Sequence, residues 1–85
     1  MAKPLLLTAH AGVRARTRDI SLEWIDGTAR KPDWTEPDPK DAQLERRFRQ
    51  IDGFGGRILR VVCVETDDAI RVISVMFDRN ARRMP

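Results

Sequence analysis

The chain has one cysteine, one histidine and no tyrosine among its 85 residues. A single cysteine excludes an internal disulfide, and with one histidine beside it no cysteine–histidine set at zinc spacing can be drawn. Long apolar runs are missing too. The N-terminus offers only Pro4-Leu-Leu-Leu7, too short for a signal peptide or a membrane span, so the expected location is cytoplasmic. Acidic excess is also lacking: the net charge is +3. A hydrophobic fraction of 41% with 34% charged residues fits a folded, soluble protein rather than a disordered one. At this length one domain is expected over residues 1–85, burying roughly 60% of the unfolded surface around a modest core.

What is present is arginine. Thirteen arginines stand against three lysines. This bias has two readings, bidentate phosphate contact or the codon usage of a GC-rich genome. Residues 1–42 hold seven basic and seven acidic side chains, whereas residues 43–85 hold nine and six. The positive excess therefore belongs to the second half.

That half reads as β-structure. Leu44–Ile51, Arg57–Val64 and Ala69–Phe77 are rich in β-branched and aromatic residues and are joined by Gly53-Phe-Gly-Gly56 and an Asp67–Asp68 turn. Strands are expected at about 43–51, 57–66 and 69–78. Ahead of them, Leu5–Leu7 reads as a short strand or an extended lead-in. Thr8 caps a helix at about 9–18, and Ser21 caps a second at about 22–30, with Ile20 and Ile25 as a hydrophobic staple. Pro32 disfavours helix at Lys31, and Asp33–Asp41 reads as a proline-pinned loop, extended around Trp34–Glu36. The tail from Asp78 reads as a final helical turn or a frayed end. Together these give an α+β fold, two N-terminal helices on a small antiparallel sheet of three or four strands.

Alternation separates the strand faces. In the middle strand Leu59, Val61, Cys63 and Glu65 oppose Ile58, Arg60, Val62 and Val64. In the last, Arg71, Ile73, Val75 and Phe77 oppose Ile70, Val72, Ser74 and Met76. With the helices on the odd-numbered face, Val13, Leu22, Ile25, Phe48, Leu59, Val61, Ile73 and Val75 should form much of the core. Trp24 either joins it or marks a partner surface. Cys63 reads as a small buried hydrophobe. Arg47 and Arg49 alternate on one face of the first strand, which is either a charge-protected edge or a phosphate-binding face.

His10 and Arg14 lie one helical turn apart. Such a pair can act as a proton-transfer group and a phosphate clamp, or as packing residues. RNA cleavage by a 2′-hydroxyl needs a proton acceptor, a proton donor and positive charge on the phosphorane. Without a metal site arginine must supply that charge. Arg60 on the central strand is the expected clamp, unless a carboxylate such as Glu45 holds it structurally. His10, Arg14, Arg47 and Arg60 are expected to converge.

His10–Ala11, Arg14, Ile20-Ser-Leu-Glu-Trp-Ile25, Lys31–Pro32, Asp38–Pro39, Arg47-Phe-Arg-Gln-Ile51, Gly56-Arg-Ile-Leu-Arg-Val-Val62, Ile73-Ser-Val75 and Phe77-Asp-Arg79 together resemble the domain-of-unknown-function family 4258, over roughly residues 8–83. Ser74 stands where a threonine is commoner. The pattern also looks like a distant version of the BrnT toxins, grouped with RelE-type ribonucleases. That resemblance implies metal-independent RNA cleavage without a cofactor, by a toxin paired with an antitoxin protein. It points to His10 and Arg60 as catalytic and to Arg14, Arg47 and Arg79 as substrate-binding. The chain departs from it in lacking tyrosine, which many RelE-type enzymes use. The alternative is a non-catalytic RNA- or protein-binding module on the same scaffold.

Overall fold

A computed structural model describes residues 3–81. After strand β1 (Leu5–Leu7), helix α1 (Ala9–Thr17) begins where the sequence supplies a cap. Thr8 is extended and its hydroxyl accepts the Ala11 N–H at 3.2 Å. Asp19 takes a positive φ of 53° between the helices. Helix α2 (Leu22–Arg30) follows, with the Ser21 hydroxyl accepting from the amides of Glu23 and Trp24. Both helices start at their Ser/Thr caps because these oxygens satisfy donors that the first turn leaves open. Ile20 and Ile25, the two members of the staple, are both buried.

Four strands follow among the described residues: β2 (Trp34–Pro37), β3 (Glu45–Ile51), β4 (Arg57–Glu65) and β5 (Ile70–Phe77). The sheet order is β1-β5-β4-β3-β2, with β1 parallel to β5 and the other neighbours antiparallel. The sheet is thus mixed and five-stranded, not antiparallel with three or four strands. Each extra strand is an extended segment with an edge to occupy. Leu5–Leu7 pairs with Ile70–Val72 while Leu5 and Leu7 pack on the core. Trp34 opens β2 and stacks on its cross-strand partner Phe48, with centroids 4.8 Å apart and planes 4° apart. Asp78–Ala81 makes a turn closed by the Ala81 amide and the Asp78 carbonyl; the rest of the expected tail lies outside the described residues.

Helix α1 packs on β5 and β1, and α2 on β4 and β3, so one sheet face is helix-covered. Ala11, Ala15, Ile25 and Ala29 meet Leu59, Val61 and Cys63 there, as the odd-numbered face of β4 predicts. In β5 the parity fails. The register shifts at Val62/Cys63, pairing Cys63 with Val72 but Val62 with Ser74. This bulge inserts one residue, so Val72 and Val75 both face the helices and Ile73 is only half-buried. Phe48 is buried on the opposite face, since its partner Arg60 lies there while neighbouring Arg47 opposes Val61. Val13 and Leu22 are not core: they are 51% and 64% exposed. Ala11 and Ala15, four residues apart, form the stripe of α1 that meets the sheet, and Val13 between them turns outward.

Candidate nucleic-acid interface

The two alternating arginines of β3 are half-buried. Their face is the one α2 covers, and each guanidinium reaches the end of that helix. Arg47 Nη1 donates to the Ala29 carbonyl at 2.6 Å, and Arg49 Nη1 donates to the carbonyls of Gly27 and Lys31 at 3.1 and 3.4 Å. The Ala29 carbonyl is among the last acceptors of α2, which the helix leaves open, whereas the Gly27 carbonyl also accepts the amide of the cap residue Lys31; all three oxygens lie at the negative dipole end of the helix. Arg47 also donates to Glu45 and Glu65 at 2.8 and 2.9 Å. Desolvation opposes its charge, but the two carboxylate hydrogen bonds raise its pKa above the usual arginine value. Glu65 is held below the usual carboxylate range by its hydrogen bonds to Lys3 and then Arg47.

Arg60 sits on the other face of the sheet. Its Nη1 lies 3.0 Å from the Asp78 carboxylate and its Nη2 contacts Met76 Sδ, while Nε is buried without a partner among the described residues. The carboxylate holding it is therefore Asp78, whereas Glu45 serves Arg47. Arg47 and Arg60 stand on opposite sheet faces and do not converge. His10 and Arg14 are exposed on α1, which packs over β5 and β1 rather than over β3. The expected four-residue cluster is thus divided among two sheet faces and a helix surface. Parity in β3 and β4 could have shown the division of Arg47 from Arg60, because Arg47 pairs with Val61 and not with Arg60.

A different group comes together where the β3–β4 connection meets the end of β5. The 3₁₀ turn Asp52–Phe54 leads into Gly55 and Gly56, at φ 65° and 73°. Glycine suits this left-handed backbone, and at Gly56 a Cβ would also stand 2.9 Å from Gln50 Nε2. The turn holds Phe54 against Trp24 and Phe77, at centroid distances of 5.5 and 4.9 Å, yet leaves it 40% exposed. Arg57 lays its guanidinium carbon 4.9 Å from the centre of that ring. Beside it a cleft of about 410 Å³ is lined by Gly55, Gly56, Arg57, Phe77, Asp78 and Arg79, among others. Arg57 and Arg79 are exposed and have no carboxylate within salt-bridge distance among the described residues. Asp78, the acid in the cleft, is engaged by Arg60 and accepts the Asn80 amide. The result is an accessible aromatic surface, a stacked guanidinium, a second uncompensated cation and glycine backbone open to close approach. Of these residues only Arg79 is among the site residues expected from the sequence. Phe54 within a glycine-rich turn, followed by Arg57, was the signal for the rest.

Among the described residues no group of three histidine, cysteine or acidic side chains is placed to hold a metal ion, and no helix is long and apolar enough to cross a membrane. Cys63 is fully buried, and burial raises its thiol pKa.

A small α+β protein with an arginine- and aromatic-bearing sheet end is what this fold and surface define. The chain belongs to a family described as a domain of unknown function, DUF4258, whose model matches residues 7–77. Neither the curated proteins nor the solved structures contain a match to it.

Proposed function

We propose that this chain binds single-stranded RNA in the cytoplasm through the surface made by Phe54, Arg57 and Arg79. The observation that carries this reading is the exposed Phe54 ring with the Arg57 guanidinium over it, beside a cleft also lined by Arg79, which has no salt-bridge partner among the described residues. Unpaired bases stack on aromatic rings and guanidinium planes, and phosphates are held by arginine. Gly55 and Gly56 let a sugar–phosphate backbone come close. The test is fluorescence anisotropy with a labelled single-stranded RNA at two salt concentrations. Binding should weaken as salt rises. Phe54→Ala should cost about 1–3 kcal/mol in affinity, the usual worth of one base stack. Unchanged binding by Phe54→Ala and Arg57→Ala variants that melt like the parent would end the proposal.

A second reading, a metal-independent ribonuclease toxin neutralised by an antitoxin protein, rests on the resemblance to BrnT and RelE-type proteins. The observation that favours it is the exposed pair His10 and Arg14, four residues apart on α1. In that reading His10 moves the proton and Arg14 contacts phosphate. Arg47 and Arg60 stabilise the scaffold from separate faces. Induced expression of the lone chain, with growth and bulk RNA followed together, tests it. Growth arrest with RNA loss, abolished by His10→Ala, is the expected result; unaffected growth sinks it.

A further inference from the structure

The outer side of α1 carries a second surface that RNA stacking does not use. A cleft of about 540 Å³ runs between the end of β1, α1 and the start of α2. Its apolar walls are Leu7, Val13, Ile20 and Leu22, and Arg16 is the charged residue lining it. It shares no lining residue with the cleft beside Phe54. Two of its walls, Val13 and Leu22, are apolar side chains left 51% and 64% exposed side by side on one cleft, as at a docking surface.

Gly12 on the same wall sharpens the point. Glycine inside a helix costs about 1 kcal/mol relative to alanine. Here a Cβ would meet only the flexible tip of Arg16, at 3.6 Å. Packing within the chain therefore does not require this glycine, whereas close approach by another molecule does benefit from it. Charge indicates the nature of that molecule. Helix α1 contains no acidic residue, and Arg14, Arg16 and the cap residue Arg18 make no salt bridge among the described residues. Asp19 and Glu23, exposed on the adjoining turn and on α2, do not line the cleft.

We infer that this cleft docks an acidic amphipathic segment of a partner protein, with apolar side chains against Val13 and Leu22 and a carboxylate on Arg16. The probe is a labelled synthetic helical peptide with leucines on one face and glutamates on the other, followed by anisotropy against the full chain. Saturable binding is expected, with at least about a tenfold loss in Leu22→Glu and in Arg16→Glu, as for truncated interface anchors. Gly12→Leu fills the cleft without removing a contact and should abolish binding while the thermal melt is retained. In Arg16→Glu a lysine version of the peptide should bind in place of the glutamate one. The inference is overturned if the peptide does not bind, if the lysine version binds the parent equally, or if Gly12→Leu and Leu22→Glu bind like the parent. It is also overturned if the parent self-associates with concentration and Leu22→Glu abolishes that, which would make the occupant a second copy. Loss of RNA affinity in these same variants, with no peptide binding, would assign α1 to RNA instead.

Discussion

Arg47, on the third strand, closes the end of the second helix by donating to the carbonyl of Ala29 at 2.6 Å. One guanidinium thereby joins α2, β3 and, through Glu65, the end of β4. A fork of five donors suits three acceptors in different directions, and a lysine ammonium on a flexible stem does not.

Replacing Arg47 by alanine should lower stability by about 1–3 kcal/mol, because the Ala29 carbonyl loses its donor and Glu45 and Glu65 lose their cation. Arg47→Lys should recover only part of the loss. Thermal and urea melts of the three proteins check this; equal melting of parent and alanine variant would remove Arg47 from the list of stabilising residues.

Acid should weaken the fold through Glu65 and Asp38. Both carboxyls have lowered pKa values: Glu65 through Lys3 and Arg47, Asp38 through the Lys40 amide first, against some desolvation, and then through the Asp41 amide and Arg46. A depressed folded-state pKa means that the contribution is complete above the unfolded value, about 4. It fades as pH falls through the lower folded value. The melting temperature should therefore hold near neutrality and fall below about pH 4, with a shallower fall in a Glu65→Gln, Asp38→Asn double variant. A parallel fall in both proteins would contradict this assignment.

Cys63 should be inert while the protein is folded. It is 0% exposed, and burial raises its thiol pKa against the smaller opposing effect of Arg47. A disulfide reagent such as Ellman's should label it slowly at mildly alkaline pH and fully in denaturant. Rapid labelling of the native protein would show that β4 opens locally.

Gly55 and Gly56 should differ in their tolerance of alanine. Both need left-handed backbone, worth about 1–2 kcal/mol against any L side chain. A Cβ at Gly55 meets nothing within 4 Å, but at Gly56 it approaches Gln50 Nε2 to 2.9 Å. Gly56→Ala should therefore destabilise more. Gln50→Ala in the same chain should recover the difference, as measured by thermal melts; no recovery would mean that Gln50 swings aside at little cost.

The sequence alone determined the two helices, their caps at Thr8 and Ser21, the three long strands and the face of β4 that packs inward. Those features are local. A cap is one side-chain oxygen meeting an amide two or three residues on, and alternation in an unbulged strand follows from the backbone. Glycines and prolines marked the turns for the same reason. Only the tertiary structure decided the rest. Whether Leu5–Leu7 and Trp34–Pro37 become strands depends on the edges of β5 and β3, the first of which is distant in sequence. The bulge that turns both Val72 and Val75 inward comes from register with β4, and nothing in the alternation of β5 announces it. Arginine was the least legible residue of all. Arg47, Arg49, Arg57 and Arg60 look alike in the sequence, yet two cap a helix, one lies over an exposed ring and one is held by Asp78. A long cationic side chain takes its role from whichever acceptor, ring or carboxylate folding brings within reach, and that is set by packing rather than by its neighbours along the chain.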